Sequence, residues 1–227
     1  DMNCKSYETL NGVDVYRIKN LFEVKKIVLL RMLSYLFFVL FSIKKALKLS
    51  NDSDLIISVA PISSAIIGSL VQIIKKKHHH FDVPDILPDL GISAGMIKNK
   101  FIIYLMYKLE KWVYNHSSSV SAITHGQIDN IVNKGVIEEK ISYIPDWVDD
   151  TFFLKNSAKY KQQVSKMLDY SNKLLISFIG NIGALQNPEV FVEVMKSLDA
   201  EGQNDFQFLF IGDGIMLPSL KERVAEA

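Results

Sequence analysis

Two stretches decide the fold: Leu174–Gly183, LLISFIGNIG, and Phe206–Gly214, FQFLFIGDG. Each is a run of apolar, β-branched or aromatic residues of strand length that stops on a glycine turn. Pro188–Leu198, between them, carries apolar residues at helical spacing, so the segment reads strand, helix, strand, and such a unit implies a parallel sheet. In Gly180-Asn181-Ile182-Gly183 the glycines fall between a strand end and a helix. Asn187 is a good N-cap, Pro188 suits the first helical position and Glu189 complements the helix dipole. Glycines placed there let the backbone approach a phosphate, whose charge the helix N-terminus favours. Gly212-Asp213-Gly214 ends the next strand at the same carboxyl edge, where open α/β sheets bind ligands. A purely structural turn remains the alternative for either loop.

The same alternation extends upstream. Val13–Ile18 is a short strand after the turn at Asn11–Gly12, and Leu21–Lys48 is a long, apolar helical stretch. Strands are expected at Asp54–Val59, near His80–Val83, at Ser119–Ile123 and at Ile141–Ile144. Helices are expected at Ala65–Lys76, Phe101–His116 and Gln127–Lys134. Asp149–Asn172 is polar and lacks β-branched runs, so it reads as a connection with its own short helix. The expected domains are therefore 1–154, a connection over 155–172, and 173–227 as the beginning of a second domain. A chain that opens on Asp1 and closes inside the amphipathic run Leu217–Ala227 is expected to be cut at both ends, the first domain lacking its first strands.

Composition narrows the function. Of 227 residues, 48% are hydrophobic and 22% charged, which excludes a disordered protein. The net charge of +1 conceals an asymmetry: residues 1–100 hold 14 Lys/Arg against 9 Asp/Glu, and the remainder holds 12 against 16. The basic residues are few and not interleaved with stacking aromatics, so a nucleic-acid partner is rejected in favour of an anionic membrane surface. The single cysteine, Cys4, can form neither a disulfide framework nor a cysteine zinc site, which favours the cytoplasm. Leu33–Ile43, LSYLFFVLFSI, is open to three readings: a buried helix, a helix also resting on a membrane beside Lys44, Lys45 and Lys48, or a span. The 12 residues between Arg31 and Lys44 fall short of the roughly 20 that a span needs.

Other constellations compete. A nicotinamide-type G-x-G-x-x-G is not met, because position 178 is Phe178, and Asp213 lies farther from Gly183 than a ribose-binding acid would. His78-His79-His80 cannot all face one metal, since neighbours on a strand point to opposite faces; they read as a basic loop running into a strand, and no metal site is expected. Phe81–Asp89, FDVPDILPD, places Asp82, Asp85 and Asp89 near a strand edge, as sugar-hydroxyl ligands or as a solvated turn. Thr124-His125-Gly126 sits where a strand gives way to a helix, with His125 a ligand contact or a solvated residue.

The segment Gly180–Gly183 with Gln186 and Glu189, then FLFIGDG at Phe208–Gly214, resembles the start of the C-terminal domain in glycosyltransferase family 4. The subgroup it most resembles makes bacterial surface polysaccharides such as O-antigen and capsule, and includes fucosaminyltransferase-like enzymes. GVDVYRI (Gly12–Ile18), LSYLFF (Leu33–Phe38), DLIISVAP (Asp54–Pro61), LEKWVY (Leu109–Tyr114) and ISYIPDWVD (Ile141–Asp149) fall in the order that family shows. FDVPDILPD is similar to its D-V-R-D-L-W-P-E stretch, with Pro84, Leu87 and Asp89 in place of Arg, Trp and Glu, so an electrostatic contact and a stacking surface are absent.

The resemblance implies an α/β GT-B fold, two Rossmann-like domains with the active site in the cleft between them. It implies retaining transfer from a nucleotide-diphosphate sugar, UDP-linked, to a lipid-linked saccharide at the inner face of the cell membrane. Gly180, Asn181, Ile182, Gly183, Gly212, Asp213 and Gly214 would hold the diphosphate through backbone amides, with no obligatory cofactor. Asp85, Asp89 and His125 would meet the sugar or acceptor. The family's Glu-x7-Glu motif would lie beyond Ala227, so the 227-residue piece alone is expected not to turn over a sugar nucleotide. A non-catalytic membrane-associated α/β protein and a nicotinamide-dependent enzyme are the alternatives.

Overall fold

A computed structural model describes residues 5–18, 28–167 and 173–225. The chain divides into two compact units, Asp1–Asp146 and Trp147–Ala227. The polar segment expected to be a connection with a short helix carries one continuous helix, Asp150–Met167.

The first unit opens with an antiparallel hairpin of β1 (Tyr7–Leu10) and β2 (Val13–Tyr16), followed by helix α1 (Val28–Leu49). The part of the expected helix before Val28 lies outside the described residues. The central sheet is parallel, in the order β3 (Leu55–Val59), β4 (His78–Val83), β5 (Ser119–Ala122), β6 (Ile141–Tyr143). Between these strands run α2 (Ile62–Lys75), the short α3 (Asp89–Ser93), α4 (Lys100–Asn115) and α5 (His125–Asn133).

A parallel sheet whose strands follow one another in sequence, joined by right-handed crossovers, carries its crossover helices on one face. The core shows this. Phe81, Val83, Val120 and Ala122 of the sheet pack with Ala65 of α2, Val113 and Tyr114 of α4 and Ile131 of α5. On the opposite face Ile57 and Val59 stand 62% and 51% exposed.

Local chemistry starts the helices. The Asn99 side chain accepts from the N–H of Phe101 and Ile102 at 3.0 and 3.2 Å, and Thr124 accepts from Gln127 N–H at 3.1 Å. Each such cap is worth roughly 1 kcal/mol.

His78, His79 and His80 are not a loop leading into a strand; all three belong to β4, paired in register with Leu55, Ile56 and Ile57 of β3. Hydroxyls on the neighbouring strands receive two of the rings: buried His79 Nε2 meets Ser58 Oγ at 3.0 Å, and half-buried His80 meets Ser119 and Ser121 at 2.8 and 3.0 Å.

The second unit begins with α6 (Asp150–Met167), followed by two parallel strands, β7 (Leu174–Ile179) and β8 (Phe206–Ile211), with α7 (Glu189–Ala200) between them and α8 (Leu217–Ala225) after them. Ile182, Val192 and Leu220 form its buried centre, flanked by Phe178 and Phe210.

Candidate functional site

In the second unit the two loops at the carboxyl edge are joined to each other. The ladder of β7 and β8 continues past the strands: Gly180 N–H donates to Ile211 C=O at 3.0 Å and Ile182 N–H to Asp213 C=O at 2.8 Å. Met216 N–H donates to Ile182 C=O at 3.0 Å, and the Ile182 side chain is buried in the unit's core. A Cβ on Gly212 would lie 1.9 Å from Gly180 O, and one on Gly214 would lie 2.2 Å from Ile182 O. Gly212 and Gly214 are therefore required by the approach of one loop to the other.

Gly180–Gly183 and Gly212–Gly214 are thus brought together at one edge. Asn181 is exposed and its Nδ2 donates to Gln186 Oε1 at 3.2 Å, closing the loop on itself. Asp213 is exposed and accepts from Gly214 N–H at 2.8 Å. Asn187 is not the N-cap of α7. It takes φ +44° and lends its carbonyl to Val190 N–H, while Pro188 holds the cap position without a side-chain bond. Glu189, in the first turn as expected, is held by Arg223 at 2.6 Å.

In the first unit Asp85 and His125 are exposed at the carboxyl edge of the sheet. Gln127 ties the two loops that carry them, accepting from Ile123 N–H at 2.9 Å and donating to Pro84 C=O at 2.8 Å. The His125 ring stacks on Tyr143 with centroids 4.4 Å apart. Tyr143 did not figure among the sequence candidates, since a tyrosine at the end of a short strand carries no signal of its own.

Asp89 is placed differently. Its carboxylate accepts from Tyr107 Oη at 2.7 Å and Asn130 Nδ2 at 2.9 Å and pairs with Lys134 at 2.9 Å. Lys134 also pairs with Glu110 at 2.7 Å, and Tyr114 Oη donates to Glu110 at 3.1 Å. Burial alone would raise the Asp89 pKa, but the hydrogen bonds from Lys134, Tyr107 and Asn130 bring it below the usual value. The bond to Asp89 pushes Tyr107 up to about 12. Burial raises Glu110 despite Lys134. This network pins the loop after β4 to α4 and α5. Its signal in the sequence was Glu110, a carboxylate within the helical stretch Phe101–His116 whose apolar residues recur near a 3.6 period.

His80, Asp82, Ser119 and Ser121 share one face of β4 and β5. Ser121 Oγ donates its one proton to Asp82 Oδ1 at 2.5 Å, so toward His80 Nε2 it can only accept. The neutral ring then donates from Nε2 and accepts at Nδ1 from Ser119 Oγ at 2.8 Å. Among the described residues no group of three or more His, Cys, Asp or Glu side chains is placed to hold a metal ion.

Among solved structures, Anabaena HepE in complex with UDP matches with a TM-score of 0.60 and 14% identity, across 86% of this chain and 50% of HepE. The fold is GT-B. The GT-B arrangement is shared by UDP-GlcNAc 2-epimerase from Neisseria meningitidis, bound to UDP-GlcNAc, with a TM-score of 0.51 and 12% identity across 85% of this chain and 51% of that one.

Among curated proteins this GT-B chain is 22% identical over 145 residues to a protein named as glycosyltransferase WbjE, from Pseudomonas aeruginosa, covering 63% of the chain and 35% of WbjE. It is 27% identical over 131 residues to WcaI of Escherichia coli K12, named as a colanic acid biosynthesis glycosyl transferase, covering 57% of the chain and 31% of WcaI. The chain thus spans about a third of the length of these relatives. No family model matches it.

Proposed function

We propose that this chain is part of a glycosyltransferase that moves a sugar from a UDP-linked donor, and that its second unit holds the donor diphosphate. The observation that carries this reading is the joined loop pair Gly180–Gly183 and Gly212–Gly214 at the carboxyl ends of β7 and β8. It lies where α/β sheets bind nucleotides, in a fold whose counterpart HepE is complexed with UDP. The epimerases share the fold, but the two relatives found by sequence are both named as glycosyl transferases, which favours transfer.

In this reading the unit ending at Asp146 is the acceptor-side domain and the unit from Trp147 begins the nucleotide-sugar domain. Asp85 and His125 contact the sugar or acceptor, and Asp89 acts through its network, holding the loop that presents Asp85. The resemblance to family 4 and its fucosaminyltransferase-like subgroup supports retaining transfer to a lipid-linked saccharide in surface polysaccharide synthesis. A peripheral position on the inner face of the cell membrane follows from that acceptor.

The test is a titration of the isotope-labelled chain with UDP, with NADH as comparator, followed by backbone resonances. Shifts at Gly180–Gly183, at Gly212–Gly214 and at the start of α7 are expected with UDP and absent in a Gly183→Asp variant. A response to NADH and none to UDP would overturn the reading in favour of a nicotinamide enzyme.

A further inference from the structure

Two helices bring matching polar stripes to one loop. Tyr107, Glu110 and Tyr114 of α4, and Gln127, Asn130 and Lys134 along α5 and its end, each recur at i, i+3 and i+7, so each set lies along one helix face. Both stripes meet the loop after β4, Pro84-Asp85-Ile86-Leu87-Pro88-Asp89, and α5 grips it at both ends. Gln127 Nε2 donates to Pro84 C=O at 2.8 Å, and Asn130 and Lys134 hold the Asp89 carboxylate at 2.9 Å each. Pro84 and Pro88 have fixed φ, which limits the freedom of the three residues between them.

Packing alone does not seat this loop. Beneath it lies a cavity of about 10 Å³, bounded by Asp85 and Leu87 of the loop, Phe81 and Val83 of β4, and Glu110 and Tyr114 of α4. A gap there removes side-chain contact from the underside of the loop, and its position falls to the hydrogen bonds at its ends. Gln127 differs from the other grips in serving two loops. Its Oε1 accepts from Ile123 N–H at 2.9 Å while Nε2 donates to Pro84 C=O. The amide can point only one way, since the reverse would set oxygen against oxygen and N–H against N–H. Asp85 follows Pro84 by one residue and His125 precedes Gln127 by two, so one hydrogen bond closes the shortest path between the two exposed side chains.

Resting on the reading in which Asp85 and His125 meet the sugar or acceptor, we propose that Gln127 is the positioning residue of that pair. It sets the separation of the Asp85 loop from the His125 turn, so that α5 carries both as one rigid piece. Groups fixed before a substrate arrives lose little freedom when it binds. A fixed separation also selects: a saccharide whose hydroxyls match the spacing of Asp85 and His125 meets both, and one that does not leaves a polar group unmatched. Gln127 touches no sugar in this scheme. Its effect passes through the Pro84 carbonyl on one side and the Ile123 amide on the other.

Nuclear magnetic resonance on the whole nitrogen-15-labelled chain tests this without any sugar. In the parent the amides of Asp85, Ile86 and Leu87 should show order parameters near the rigid value of about 0.85. Gln127→Ala removes both bonds: the three should fall below about 0.6, and hydrogen exchange at Ile123 should quicken roughly five-fold, as for the loss of one ordinary hydrogen bond. Gln127→Glu separates the two bonds. Its carboxylate still accepts from Ile123 N–H but repels Pro84 C=O, so at about pH 8 the loop should loosen while Ile123 stays protected. Protonated toward about pH 5, it regains a donor and the loop should tighten again. The parent, which carries the same Asp85, Asp89, His125 and Lys134, is the reference at each pH. A side chain that served only as packing would behave alike at both, since Glu and Gln share one shape. A disordered loop in the parent, an ordered one in Gln127→Ala, or a Gln127→Glu chain indifferent to pH overturns the proposal. Should Gln127→Ala melt early, the isosteric Gln127→Glu decides alone. UDP binding by the second unit is read from other resonances, so it stands or falls apart from these outcomes.

Discussion

A Cβ added to Gly68 of α2 would lie 2.2 Å from Nε2 of His79 on β4 and 2.4 Å from Oγ of Ser58 on β3. The helix comes this close to the sheet because His79 is fully buried beneath it and bonded to Ser58. Replacing Gly68 by Ala should therefore destabilise the first unit by about 1–3 kcal/mol, as expected of overpacking. Gly126→Ala, in α5 with open space around it, should instead stabilise by roughly 0.5–1 kcal/mol through helix propensity. Urea unfolding of the two variants checks the contrast.

His79 also makes the fold sensitive to acid. Burial lowers its pKa, so the folded state holds the ring neutral while the unfolded chain protonates it near the ordinary value of about 6.5. The stability it permits is complete above that pH and is lost as pH falls toward the lowered folded value. Unfolding free energy measured between about pH 7 and 5 should fall with a slope of up to about 1.4 kcal/mol per pH unit from this residue. His79→Gln should flatten that slope.

Lys134 is the centre of the Asp89–Glu110 network. Lys134→Met leaves two carboxylates without their cation, one of them, Glu110, only 3% exposed at its side chain. A loss of about 3–5 kcal/mol is expected, the cost of breaking a buried pair from one side. Adding Glu110→Gln should recover part of it, which a double-mutant cycle in denaturant would show.

Gly212→Ala pushes a Cβ against the carbonyl oxygen of Gly180, and backbone cannot yield as a side chain can. The second unit should lose about 1–3 kcal/mol, and UDP shifts at Gly180–Gly183 should vanish. Asp213→Asn keeps an acceptor for Gly214 N–H and should stay within about 0.5 kcal/mol of the parent. A loop pair built only as a turn would lose stability in Gly212→Ala with no UDP response in either protein.

The strand, helix, strand order was readable because periodicity and turn residues act locally. Leu174–Ile179 and Phe206–Ile211 appear in the structure with the bounds their composition suggests. Asn187 misled because a residue good at capping was placed by a constraint outside its own segment, in a turn with φ +44°. His78–His80 misled because partners on β3 and β5 make a histidine run acceptable inside a sheet.

By itself the sequence determined the α/β alternation, the parallel pairing and the two glycine loops at strand ends, since each rests on residues close together in the chain. Only the tertiary structure decided what the glycines of the second loop are for. Gly212 and Gly214 clear the way for Gly180 and Ile182, residues about thirty positions earlier, and no local pattern records a contact at that separation. The same holds for Asp89, whose carboxylate is claimed by Tyr107, Asn130 and Lys134, and for α1, where Ser34 and Ser42 are buried while Leu36 and Leu40 are exposed. Which face of a helix is covered, and which carboxylate is free, depends on what the rest of the chain brings beside it.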